Sequence, residues 1–199
     1  MELRHGRTPT QQRARDRVER VLDGAAVVFA ECGYAKATTN RIAKEAGVHV
    51  PSVYQYFPNK DALLAEIWDR HVDALIGALQ GMLSSPAEAP VPETARLYIT
   101  LVLEMHAAAP DLLSVLYQEG PRLPGVRSLR DEAAALLVPY LEHHRALLRP
   151  GSIDVAAFVL ASAVEGVARQ AVVPPAPSIE ALTDEVVALV TSYLGISDV

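Results

Sequence analysis

An all-α fold is predicted for this chain, and three observations predict it. Apolar residues recur at three- and four-residue spacing through most of its 199 residues. The apolar/polar alternation that marks strands is scarce. Glycines and prolines fall mostly between the periodic stretches, where they stop one helix and start the next. The pattern divides into a small N-terminal unit over residues 1–60 and a larger helical body over 61–199, about nine helices in all.

The chain opens with arginines at 4, 7, 13, 15, 17 and 20, which precede or open a first long helix whose apolar run closes at Cys32 and Gly33. Residues 38–60, TTNRIAKEAGVHVPSVYQYFPNK, then write a helix, a tight turn and a second helix. Thr38 or Thr39 can cap the first, with Ile42, Ala43 and Ala46 on one face. Gly47 stops it by taking left-handed angles that a side chain would penalise. Ala43 is small enough for a steep crossing of two helices joined by so short a turn. The second helix must start near Val50, because Pro51 is tolerated only in a first turn. Val48, Val53 and Phe57 close the core beneath. Ser52, Tyr54, Gln55 and Tyr56 stay outside, able to donate to phosphates or base edges. Pro58 ends the segment, and Lys60 opens the next helix, where backbone amides and an ammonium group together suit a phosphate.

After Lys60 the helical pattern continues. One long helix is expected over 61–82, then a break over 84–92 carrying Pro86, Pro90 and Pro92, then a helix over 93–108. Pro110 starts a short helix over 111–119, followed by the irregular GPRLPG segment. A helix over 128–148, kinked at Pro139, is ended by Pro150 and Gly151. Two helices over 153–172 and 179–194 follow, separated by VPPAPS; no internal repeat is present. In the first of these two, Ala156, Ala157, Leu160, Ala161, Ala163, Val164, Val167 and Ala168 spread around the helix, so it needs more than one neighbour.

The pattern TT..IA..AGV..P..Y.YF.NK over 38–60, with a long helix before and after it, resembles the DNA-binding signature of the tetracycline-repressor (TetR) family across about 50 N-terminal residues. The resemblance implies a helix-turn-helix whose second helix lies in the major groove of an operator half-site. Thr39 then matches a phosphate-contacting position, and Asn40 one that reaches a base, where Asn favours adenine. Val50 and Pro51 match positions that press on thymine methyls, Ser52 and Gln55 positions that touch bases or phosphates, and Tyr54, Tyr56 and Lys60 positions that hold the backbone. The sequence departs from the family at His49, where a capping Ser is frequent, and at Asn40, where some relatives carry Arg. The resemblance also implies a homodimer, with the last two helices pairing with their copies about a two-fold axis. Such a dimer sets two reading helices about 34 Å or more apart, matching a palindromic double-stranded DNA operator.

Charge placement agrees. The chain has 18 basic and 24 acidic residues, net −6, yet residues 1–60 hold ten Lys or Arg against six Asp or Glu. The basic arm either follows phosphates or a minor groove, or is a solvated tail. The lone Cys32 cannot form an internal disulfide and reads as a small buried hydrophobe of a reducing, cytoplasmic protein. No signal peptide and no run of about 18 apolar residues is visible, so no membrane partner is expected.

The middle helices either form a solid core or enclose a cavity. Leu97, Leu101, Met105, Leu112, Leu113 and Leu116 are expected to supply apolar walls, with aromatic surface from Trp68, Tyr98, Tyr117, Tyr140 and Phe158. Polar groups in apolar company, namely His71, Glu104, His106, Ser162, Glu165 and Arg169, either pair internally or meet a ligand. The candidate ligand-binding set is Trp68, His71, Met105, Tyr117, Tyr140, Phe158, Ser162 and Glu165. His143 and His144 are adjacent and point about 100° apart, which does not suit a shared metal. No HExxH, Cys/His cluster, glycine-rich phosphate loop or GxSxG elbow occurs, so neither metal, cofactor nor enzyme activity is expected. The expected function is a DNA-binding transcriptional regulator, with a repressor favoured over an activator. A small apolar or amphipathic effector would release it. A regulator answering to a protein partner and a helical small-molecule binding protein remain as alternatives.

Overall fold

The computed structural model describes residues 9–84, 90–149, 151–171, 173 and 175–196. Expectations resting on Arg4, Arg7, Pro86, Pro150, Val172 and Pro174 lie outside those residues. Among the described residues all regular structure is helical.

Helix α1 (Pro9–Lys36) buries Val21, Leu22, Ala25, Val28 and Phe29, one stripe at helical spacing. Its path breaks at Gly33, whose φ of 72° only glycine adopts without strain. Cys32 is half-buried, and its thiol donates to the Val28 carbonyl at 3.1 Å. Helix α2 (Thr39–Glu45) is capped by Thr38, whose hydroxyl oxygen accepts from the Arg41 amide at 3.2 Å. Gly47 reverses the chain at φ 62°, and α3 (Val50–Tyr54) begins with Pro51 in its first turn, as the sequence requires. Ile42, Ala43, Val53 and Phe57 are buried beneath the turn, and Val48 packs on them. The tightest approach, however, is between α1 and the end of α2: a Cβ on Gly24 would lie 2.8 Å from the Ala46 amide nitrogen.

Helix α4 (Lys60–Leu83) is capped by Asn59, which accepts from the Ala62 amide at 2.9 Å. At 24 residues it is about 36 Å long and spans from the helix-turn-helix into the larger body. Helices α5 (Val91–Ala108) and α6 (Pro110–Glu119) meet at a 100° bend, where Pro110 cannot continue the preceding helix. A single 3-10 turn, Gly120–Arg122, occupies the start of the GPRLPG segment. Helix α7 (Leu129–His143) starts at a Ser128 cap and runs on past Pro139, which lies on its exposed side. It ends earlier than the 128–148 expected: the remainder winds into a 3-10 turn, Arg145–Leu147, in which Leu147 is exposed, while Leu148 just beyond it packs on the core. Helix α8 (Ile153–Ala171) packs mainly on α7, and α9 (Ile179–Leu194) mainly on α5. Ser178 caps α9, and Gly195 closes it at φ 76°.

Candidate nucleic-acid interface and internal cavity

The two short helices present their polar side chains together. Asn40, His49, Pro51, Tyr54 and Gln55 are exposed, and Thr39, Val50, Ser52 and Tyr56 are half-buried at the same surface. Thr39 and Tyr54 join across the motif, their hydroxyl oxygens 2.9 Å apart. That contact fixes α3 against α2 and leaves each oxygen with spare hydrogen-bonding capacity toward solvent. His49 occupies the N-cap of α3 and makes no capping hydrogen bond, consistent with the weak cap read from its side chain. Lys60 is half-buried and turned inward. Its ammonium donates to the Tyr34 carbonyl at 2.9 Å and sits 3.9 Å from the centre of the Tyr34 ring. The Tyr34 hydroxyl in turn donates to Asp61, and burial together with that carboxylate pushes the phenol up to about 12. Lys60 therefore first fastens the bend at Gly33 to the start of α4. Sequence reading overlooked Arg41 and Lys44, two exposed cations on α2; Arg41 makes only a loose contact with Glu31, at 3.9 Å. Their position one turn beyond Thr38 on a capped helix was the available signal.

A partly open cavity of about 70 Å³ lies in the larger body between α4, α5, α7, α8 and α9, with Tyr117 of α6 in its lining. In the same measure a single water needs about 10–15 Å³, so the space is narrow but not solid. Its wall is apolar apart from Thr94, Tyr98, Tyr117, Arg130, Tyr140 and Glu165. Tyr140 shares a hydrogen bond with Thr94. Arg130 is held by Asp131, at 2.9 Å from Nε and 2.8 Å from Nη2, and lies 5.1 Å from the Phe158 ring centre. Glu165 makes no hydrogen bond or ion pair with any described residue, and burial pushes its carboxyl above the usual carboxylate range.

Behind Tyr117 lies a ring cluster whose protons can be placed. His106 is fully buried, with Nδ1 2.6 Å from the Val102 carbonyl and Nε2 2.8 Å from the Tyr117 hydroxyl. A carbonyl only accepts, so Nδ1 carries the hydrogen, Nε2 accepts, and Tyr117 donates to it. His71 stands 5.2 Å from His106, centre to centre, and its buried Nε2 has no partner. Burial and the neighbouring His106 lower His71 to about 4. Trp68 packs edge-on against Tyr117 and donates from Nε1 to the Arg127 carbonyl at 2.9 Å.

Of the candidate ligand-binding residues, the fold brings Tyr117, Tyr140 and Glu165 to the cavity wall. Trp68 and His71 stand one layer behind, Met105 is half-buried away from the wall, and Ser162 keeps a buried, unpartnered hydroxyl off the lining. Phe158 is 49 % exposed on the outer side of α8. The expected leucine walls are corrected as well. Leu97 is 61 % exposed, because α5 turns Val91, Thr94, Tyr98 and Val102 inward instead. Leu101 of α5 does not border the cavity either, nor do Leu112, Leu113 and Leu116, because α6 folds back against α1. Glu104 and Arg169 are exposed. Thr94 and Arg130 are wall residues that helical spacing alone did not single out. Among the described residues no group of three or more His, Cys, Asp or Glu is placed to hold a metal ion, and no single helix is long and apolar enough to cross a membrane.

Comparison with known proteins fits both parts of this geometry. Residues 21–67 match the family described as bacterial regulatory proteins, tetR family, and residues 90–194 match the tetracyclin repressor-like C-terminal domain. The chain belongs to the TetR family. Among curated TetR-like relatives, the HTH-type transcriptional repressor SCO4008 of Streptomyces coelicolor is 33 % identical over 101 residues, 51 % of this chain and 48 % of that protein. The fatty acid metabolism regulator protein of Bacillus subtilis is 29 % identical over 92 residues, 46 % of this chain and 44 % of its own length. The chain thus spans about half the length of these curated relatives. The crystal structure of the transcriptional regulator FadR from Bacillus subtilis, in complex with stearoyl-CoA, superposes with a TM-score of 0.68 at 20 % identity, covering 88 % of this chain and 98 % of that one. At that identity the likeness shows the TetR fold alone.

Proposed function

We propose that the chain is a homodimeric, cytoplasmic transcriptional repressor that binds a palindromic operator and is released by a small apolar or amphipathic effector. The observation that carries this reading is the path of α4. At its start Lys60 and Asp61 hold Tyr34, and Arg70 pairs with Glu19 of α1; at its end Leu79 and Leu83 form part of the cavity wall. One rigid helix therefore touches both the reading unit and the chamber. An effector that fits only when the far end of α4 is displaced would rotate the reading unit, and in a dimer it would move two reading helices out of register with their half-sites. Strong release takes about 3 to 5 kcal/mol of differential effector binding between the two shapes. The cavity supports a small molecule over a protein partner as the controlling ligand, since a solid core would have left no chamber.

At the DNA, Thr39, Tyr54 and Tyr56 would hold phosphates with Lys60 supporting them from behind. Asn40 would read a base, Val50 and Pro51 would meet thymine methyls, and Ser52 and Gln55 would reach bases or phosphates. The test is selection of genomic fragments by the purified protein at two salt concentrations, read by sequencing. Recovery of a palindrome at the higher salt is expected, because only specific contacts persist as counterion release weakens. Enrichment of no site by correctly folded protein would overturn the reading.

A further inference from the structure

We infer that the effector is an amphipathic organic cation, a protonated amine on a slender apolar body, whose ammonium group is received by Glu165 between the phenols of Tyr98 and Tyr117. This rests on the effector-controlled reading above and narrows it to a chemical class. Four observations carry it. Glu165 is the acid in the cavity wall, and no described residue bonds to it. The charges of Arg130 and Arg169 favour its ionised form from a distance, but neither bonds to it, so a ligand that supplies a charged donor adds a direct hydrogen bond that the protein does not make. Arg130, the cation of the same wall, is already occupied by Asp131 and covered on one side by Phe158, so it neither neutralises Glu165 through contact nor stands bare for an anion.

The neighbouring polar groups point the same way. Tyr117 gives its only hydroxyl hydrogen to His106, so toward the cavity it offers lone pairs and a ring. Burial and the Glu165 charge push the Tyr98 phenol up to about 12 and the Tyr117 phenol upward too, which keeps both neutral. A carboxylate beside two aromatic rings, one of whose phenol oxygens has spent its hydrogen on His106, is an environment for an ammonium head. A carboxylate or phosphate head would meet the Glu165 charge there, and Arg130, the cation of the wall, is already paired with Asp131. The remaining wall, including Val102, Leu129, Leu160 and Val190, is aliphatic, and its narrow volume suits an alkyl tail better than a fused ring system.

Octylamine, octanol and octanoate, which share one tail, test this by calorimetry on the full chain at pH 7. Octylamine is expected to bind about tenfold or more tighter than octanol, with octanoate weakest. The variant Glu165→Gln, which keeps the shape, is expected to bring octylamine down to the octanol level. Octanoate binding best, or an amine preference that survives Glu165→Gln, would overturn the assignment. A Leu160→Trp variant that fills the cavity separates the two levels of failure. If it abolishes binding of a preferred octanol or octanoate, the chamber is an effector site and only the head-group chemistry is refuted. If none of the three binds and Leu160→Trp leaves operator affinity and its response to other small molecules as in the wild type, the cation proposal and the cavity reading fall together.

Discussion

His71 carries a buried ring nitrogen with nothing to bond, packed 5.2 Å from a second buried imidazole. Burial and His106 hold it at about 4, well under its ordinary 6.5, so the folded protein keeps the ring neutral where an unfolded chain would take up a proton. Its contribution to stability is complete above pH 6.5 and is lost as the pH falls toward 4. The loss should reach the order of 2 to 3 kcal/mol at about 1.4 kcal/mol per unit. His106, also lowered by burial, adds in the same direction. Urea denaturation of His71→Leu at pH 7.5, 5.5 and 4.5 should therefore give a flatter decline than the wild type, and parallel declines would refute this. At the DNA face, Tyr54→Phe removes a hydroxyl that braces Thr39 and is available to a phosphate, so affinity for all sequences should fall alike, by about three- to tenfold. Asn40→Ala should instead relax preference at one base pair, by about 1–3 kcal/mol of discrimination. Binding profiles over a library of operator variants distinguish the two, and the reverse pattern would sink the assignment of roles.

The helix boundaries were legible where a local residue sets them. Thr38, Gly47, Pro51, Pro110 and Ser178 each act on the backbone within a turn of themselves, and each stands where its chemistry places it. What the sequence did not disclose depends on contacts between distant elements. The partner of Lys60 is Tyr34, 26 residues away, and the inward face of α5 depends on how α9 and α8 lie against it. The cavity wall was legible only in part, since Tyr117, Tyr140 and Glu165 share it with Thr94 and Arg130, whereas Phe158 faces outward. The close approach of α1 to α2 is another such contact. Gly24→Ala should raise intrinsic helix propensity by up to about 1 kcal/mol, yet its methyl would collide with backbone at Ala46. A net destabilisation of about 1–3 kcal/mol is expected by thermal unfolding, with operator affinity falling further because α2 must shift. An unchanged or raised melting temperature would mean that the two helices can separate at little cost.

For the whole molecule, residues 1–60 carry a basic excess and the remainder an acidic one, and α4 runs from the one into the other. The two-fold partner proposed for this molecule has to cover what the monomer leaves uncovered on its last two helices. Helix α8 turns its buried residues to α7, and α9 turns its own to α5, yet Val155, Phe158 and Leu189 remain about half exposed on the two. Small residues, Ser162, Ala163 and Gly166, follow Phe158 along α8 at helical spacing, and they let helices approach closely. Leu189→Arg places a charge in that surface without touching the α5 seam or the cavity, because Leu189 is 51 % exposed in the single chain. Sedimentation should then report a dimer for the wild type and a monomer for the variant, with helical content retained. Operator affinity should fall by about 10²- to 10⁴-fold, since the second half-site no longer binds as an intramolecular event. A variant that stays dimeric with full operator affinity would move the two-fold axis off α9.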